Sequence, residues 1–294
     1  MILKCFNKRT AGLTCVLSMG VLAMTSTNAV AQRQLMYATK LLDGNLFSFY
    51  SDAPGTILND ISVNGMQPNE MLRGIDFRNG VLYGVGSQNR LYTIDLMDGT
   101  ATAINLTPFT TLLNGGTFGV DNGPTGIQIV SNQRQALTIE RSTGGVVGSG
   151  PSLTYAAGDV FAGMLPSVTA LAYDENSGIW YAGDSSRNSL ATYDPLSGQL
   201  STIALTGIDF SSANGFDIST LSGVAYLATP AASSDPQANL YIVNLGTGAT
   251  TLVGLIGQEG DNILISGLAA VPEPNTMALL GLGGLALAIF RRKR

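Results

Sequence analysis

Between Arg73 and Ile104 short apolar runs alternate with turn residues. Gly74-Ile75-Asp76-Phe77, Val81 to Val85, Leu91 to Asp95 and Ala101 to Ile104 are rich in β-branched and aromatic side chains, and Asn79-Gly80, Ser87-Gln88-Asn89 and Asp98-Gly99 separate them. Period-two alternation broken by Asn-Gly and Asp-Gly predicts a meander of four antiparallel strands. A four-stranded meander of this length is the size of one propeller blade.

The pattern returns along the chain. With Gly74 placed over Gly119, Ala170, Gly215 and Gly267, the intervals are 45, 51, 45 and 52 residues. The fifth copy starts at Ile265 and has room for one strand before the pattern stops. Three unassigned runs remain at the other end: Leu35 to Thr39, Asn45 to Phe49 and Thr56 to Leu58. Joining them to the last strand completes a blade and removes the open sheet edges of an unclosed ring. The expected fold is therefore all-β: a five-bladed β-propeller-like ring of four-stranded antiparallel blades, its closing blade shared by the N- and C-terminal ends. Two longer stretches, Gly148 to Pro166 and Thr229 to Asn239, are expected to project as loops and supply contact surface.

The ends of the chain follow other rules. Lys4, Lys8 and Arg9 precede an apolar stretch from Ala11 to Met24, and Ala29-Val30-Ala31 offers small residues at a cleavage site. This is the layout of a secretory signal peptide over residues 1–31, with cleavage at Ala29 to Ala31. The propeller domain then covers 32–270. At the far end Pro272-Glu273-Pro274 precedes an apolar run from Met277 to Phe290 and a basic stop at Arg291, Arg292, Lys293 and Arg294. Helices are expected in the two apolar ends, outside the ring. Fourteen apolar or glycine residues fall short of the roughly 20 that span a bilayer comfortably, but neighbouring residues extend the run, and the basic end would stay cytoplasmic. Residues 271–294 thus have the logic of a removable anchor.

Charge and chemistry narrow the function classes. From Gln32 to Ala270 there are eight basic and nineteen acidic residues, a net of about −11. Such a surface repels phosphate backbones, so nucleic acid is not an expected partner. The two cysteines, Cys5 and Cys15, both lie in the leader, and the chain has no histidine. This excludes a Ser-His-Asp triad, a thiol nucleophile and a His- or Cys-ligated metal centre in the mature domain; no cofactor is expected. Carboxylates remain. Asp76, Asp121 and Asp217 share one column of the repeat, whose other two places are held by Ala172 and Ala269. A structural role, accepting backbone N–H bonds near turns, explains such a column best. A cation site or the acid-base pair of a glycosidase are the alternatives. Trp180, Tyr181, Tyr83, Tyr92, Tyr193, Tyr226 and Tyr241 alternate on the strands as packing between blades requires; the alternative, a sugar-stacking platform, needs two or three of them exposed on one face.

Two resemblances add to this. The segment Val271 to Arg294, with its Pro-Glu-Pro, apolar stretch and Arg-rich end, resembles the PEP-CTERM sorting signal of Gram-negative bacteria. That resemblance implies export, transient inner-membrane anchoring through a C-terminal helix, processing by an exosortase, and placement at the surface or outside the cell, often alongside exopolysaccharide. Gly74-Ile75-Asp76-Phe77, Leu91 to Asp95 with Gly99, Phe118-Gly119-Val120-Asp121, Gly207 to Phe210 and Asn214-Gly215-Phe216-Asp217 resemble the secreted domain-of-unknown-function family 4394. This chain has Asp121-Asn122-Gly123-Pro124 and Ile127 to Val130 where that family usually has an Asn-Pro turn and an Arg-rich strand. The expected function is that of an exported surface or extracellular-matrix protein whose propeller is a non-enzymatic interaction platform, with exopolysaccharide or surface glycans among its candidate partners; the alternative is a carbohydrate-active enzyme using the propeller carboxylates.

Overall fold

Strands that are apolar on both sides must be covered on both sides, and a ring of radially stacked small sheets does this without leaving an open edge at the closure. The computed structural model describes residues 33–232 and 234–272. The expected leader with Ala29 and Ala31, the two expected terminal helices, Glu273, Pro274 and the basic stop Arg291 to Arg294 lie outside the described residues. Among the described residues no helix is long and apolar enough to cross a membrane.

The chain begins in the closing blade with β1 (Leu35–Lys40), β2 (Leu46–Tyr50) and β3 (Ala53–Ile61). The first full blade is β4 (Leu72–Arg78), β5 (Val81–Gly86), β6 (Arg90–Ile94) and β7 (Ala101–Ala103). The second is β8 (Phe118–Gly123), β9 (Gly126–Ser131), β10 (Ala136–Ile139) and β11 (Val146–Ser149). A short β12 (Thr154–Tyr155) precedes the third, β13 (Val168–Asp174), β14 (Ile179–Asp184), β15 (Ser189–Asp194) and β16 (Gln199–Leu205). The fourth is β17 (Gly215–Ile218), β18 (Ala225–Pro230), β19 (Ala238–Val243) and β20 (Thr250–Leu255), and β21 (Ile265–Val271) returns to the closing blade. There it pairs antiparallel with β1, Met36 opposite Ala270 and Ala38 opposite Leu268, giving the order β21-β1-β2-β3. The ring closes as the repeat demanded.

The strands β4, β8, β13, β17 and β21 surround the axis, each in contact with the next. Five apolar clusters fill the five gaps between neighbouring blades. Met36, Phe47 and Phe49 of the closing blade meet Tyr226 and Leu240 of the fourth, and Trp180 and Tyr193 of the third pack with Val130 and Ala136 of the second. Tyr92, Tyr181, Tyr226 and Tyr241 are likewise buried, as expected of side chains that pack between blades. At the axis the inner strands approach so closely that side chains do not fit. A Cβ on Gly215 would lie 2.5 Å from the backbone nitrogen of Leu268, and one on Gly119 would lie 2.7 Å from the backbone of Ala170. Four of the five places in the column used to align the repeat are glycine, the fifth being Ala170, because this is where the blades touch.

The two long insertions differ from expectation. In the first, Gly148 and Ser149 finish β11, and Thr154 and Tyr155 pair parallel with Gln199 and Leu200 as a fifth strand on the third blade. Leu153 is fully buried and the Tyr155 hydroxyl donates to Asp184, itself buried. The segment is a clamp over an exposed sheet edge, which supplies the partners those backbone groups lack. In the second, Thr229 and Pro230 lie in β18 and Ala238 and Asn239 in β19, so only the short connection between them is loop. Strand pairing thus takes up residues 148–149 and 154–155 of the first segment and both ends of the second, while residues 156–166 carry no strand, expose Val160 and Leu165, and through residues 156–161 line a concavity of about 730 Å³ with residues 201–205.

Candidate functional site

In each blade the inner strand has one edge paired and one edge turned to the axis, so alternate backbone N–H groups have no ladder partner there. One such group per blade follows the aligned column: Phe77, Asn122, Tyr173, Ile218 and Ala270. Buried amides left unpaired are costly. Asp121 accepts from Asn122 on its own strand and from Tyr173 on the next blade, at 2.8 Å. Asp217 does the same with Ile218 at 2.6 Å and Ala270 at 2.5 Å. Asp76 is served by Phe77 and by Asn122 across the blade boundary. Each carboxylate therefore covers two amides, and five amides need three carboxylates. Two blades can do without, which is why Ala172 and Ala269 occupy the remaining places. An odd number of blades also forces two aspartates to be adjacent, and Asp76 and Asp121 share Asn122.

Bringing three carboxylates to one axis has an electrostatic consequence. One oxygen from each lies within 4.8 Å of the others, and all three residues are buried. Burial, and then the neighbouring charge of Asp217, hold Asp76 well above the ordinary carboxylate range; burial with the charges of Asp76 and Asp217 does the same for Asp121. Burial raises Asp217 to about 7 against the pull of its two amide partners. Asp217 thus ionises first, and its charge keeps protons on the other two. Arg78 bonds the Asn122 carbonyl and pairs with Glu175, closing the mouth above. The void among these residues is about 10 Å³, and so is the one at the level of the aligned glycines. By ligand type the trio suits a hard cation, and shared protons balance its charge equally well. A sugar ring does not fit the void among them.

A larger concavity lies off the axis. Between the second and third blades a cleft of about 700 Å³ is lined by Tyr173, Trp180, Tyr193, Gln128, Thr138 and Asp194, with Pro124, Pro151, Pro195 and Leu196 at its margins. The rings of Tyr173 and Trp180 meet at 4.8 Å between centroids in a tilted arrangement, 46° between planes. Gln128 donates to the Tyr193 hydroxyl at 3.1 Å and accepts from Thr138 at 2.8 Å. Burial, with Asp194 adding to it, raises the Tyr193 phenol far above its ordinary value, so it is a neutral hydroxyl. Sequence reasoning singled out Trp180 and Tyr193 as packing residues and missed the cleft. The signal was the departure at Asp121 to Pro124 and Ile127 to Val130, which supplies Pro124 and Gln128 to its wall.

The aspartates are thus brought together by the ring, while Pro272 directly follows Val271, the last residue of β21. No match is found among curated proteins. Among solved structures, a Bacteroides caccae protein of unknown function is 10% identical, covering 82% of this chain and 100% of that one, TM-score 0.44. A Bacteroides thetaiotaomicron structural-genomics protein is 14% identical over 76% of this chain and 58% of that one, TM-score 0.47. A Myxococcus xanthus glutaminyl cyclase is 14% identical over 66% and 91%, TM-score 0.40. Residues 270–294 match the PEP-CTERM protein-sorting motif, which marks the protein for export, exosortase processing and surface or extracellular placement. Residues 45–269 match the family described as Domain of unknown function (DUF4394), and with that match spanning most of the chain the protein belongs to this family.

Proposed function

We propose that this exported propeller is a binding module without catalytic chemistry, and that its ligand is a neutral saccharide held in the cleft between the second and third blades. The cleft carries the reading. Half-buried Tyr173 and Thr138 in its wall offer ring C–H/π contact and a hydroxyl, over a nearly covered layer of Trp180, Gln128 and Tyr193 that holds them in place. Asp194 is the one charged residue among its lining, so nothing there attracts an anion. Against an enzyme stands the placement of the carboxylates: the axial three are engaged by backbone amides and enclosed. Transient anchoring in the inner membrane belongs to the same reading, since the sorting motif includes the apolar run from Met277.

Trp180 is the single tryptophan of the chain, so its fluorescence reports on the cleft alone. Screening the purified protein on a glycan array and titrating the hits should give saturable changes in Trp180 emission. Leu196→Glu, at a residue 88% exposed on the margin, should weaken the titration while leaving the fold intact. Array binding without a Trp180 response would place the ligand elsewhere, and no binding to any neutral glycan would overturn the proposal.

A further inference from the structure

The described chain leaves the ring from its centre. β21 is the innermost strand of its blade, and its last residues are pinned: the Ala270 N–H donates to Asp217, and the Gln34 side chain donates to the Val271 carbonyl while accepting from Ser219 at 2.6 Å. The exit therefore sits beside the carboxylate trio, at the end of the ring where the inner strands finish. Antiparallel meanders put the β4–β5, β6–β7, β13–β14 and β15–β16 turns at that same end. Met97 and Leu196, each 88% exposed, are at the tips of two of these turns. Leu42 and Leu112, 72% and 60% exposed, lie in connections at the opposite end.

Between Val271 and the apolar run at Met277 there are five residues, Pro272 to Thr276. Fully extended they reach about 17 Å. A body hung from its axis on so short a tether cannot turn the exit face outward, whereas one hung from its rim could swing. The turns and strand ends on this face, the β10–β11 turn included, carry Asp52, Asp95, Asp98, Glu140, Asp174, Glu175 and Asp194 against Arg33, Arg78 and Arg141. An acidic face is repelled by anionic headgroups, an effect that acts within about a Debye length, roughly 10 Å. The tether and not adhesion must hold it.

We propose that, until the tail is cut, this protein stands on the bilayer with its exit face toward the headgroups, and that cutting releases that face. Because Pro124, Pro195 and Leu196 border the cleft at this end, release also uncovers the saccharide site. The inference rests on the reading that residues 277–290 are held in the membrane.

The test uses the full chain with Cys5 and Cys15 replaced by serine, which leaves no native thiol. Single cysteines are introduced as Met97→Cys and Leu196→Cys on the exit face and Leu42→Cys and Leu112→Cys on the other. The uncut protein is reconstituted in vesicles containing phosphatidylglycerol and reacted with a bulky polyethylene-glycol maleimide. Labelling at 97 and 196 should be several-fold slower than at 42 and 112, and the four rates should converge when the tail is removed. Four equal rates in protein that sediments with the vesicles overturn the orientation and leave the anchoring reading standing. Failure to sediment overturns both.

Discussion

The axial carboxylates make stability fall as pH rises, and Asp217→Asn should remove much of that fall. The native value of about 7 exceeds the ordinary 3.8 by about 3 units. At 1.36 kcal/mol per unit this is about 4 kcal/mol between the two protonation extremes. The sign follows from proton counting. Between pH 3.8 and 7 the native state holds a proton that the unfolded chain has lost, so unfolding becomes easier with rising pH. The contribution is fully favourable below pH 3.8 and exhausted just above pH 7. About 2–3 kcal/mol of the loss falls between pH 5 and pH 8, a large part of the 5–15 kcal/mol that stabilises a typical domain. Asparagine has no charge to bury, but its single carbonyl serves Ile218 and Ala270 less well than two carboxylate oxygens, at a cost of about 1–3 kcal/mol. Urea denaturation of both proteins across this range should therefore show the variant less stable at pH 5 and the gap closed or reversed at pH 8. Parallel profiles would mean that Asp217 does not change its proton affinity on folding, and the account of the trio would fail.

Gly215→Ala should lower stability by about 1–3 kcal/mol, since the added carbon meets backbone and not a movable side-chain end; an unchanged melting temperature would show the axis to be looser than described. Tyr155→Phe strips the buried Asp184 of a hydroxyl donor and should cost about 1–3 kcal/mol, with limited proteolysis then cutting first between residues 150 and 166; cleavage elsewhere would argue against the clamp. Deleting Pro272 to Arg294 should leave the melting transition in place and abolish exosortase processing and surface placement in cells. Normal sorting of the truncated protein would remove the tail from the account.

Blade number, strand order and the closing partner were legible because each depends on local signals. Asn79 and Gly80 both take positive φ, 51° and 84°, in the turn their types predict, and the alternation of apolar residues sets which strands are covered. The incomplete copy at Ile265 and the three unmatched runs before Leu58 left only one way to finish the ring. The sorting tail was equally plain, since its information is the order of its parts.

Other features exist only once the blades meet. The Asp76, Asp121 and Asp217 column could be read from the repeat, but not that each carboxylate crosses to the next blade: amides of Tyr173 and Ala270 are 52 and 53 residues away from their acceptors. The protonation of the trio follows from that convergence and from no local pattern. The insertion before Pro166 looked like a loop because a two-residue strand pairing in parallel leaves no periodicity behind. The cleft had the least trace of all, being assembled from hairpin tips of two blades. Sequence determined the modules and their closure through short-range turn chemistry and hydrophobic period; the tertiary structure decided the charges, the clamp and the cleft, because those depend on which distant groups are forced to share a space without water.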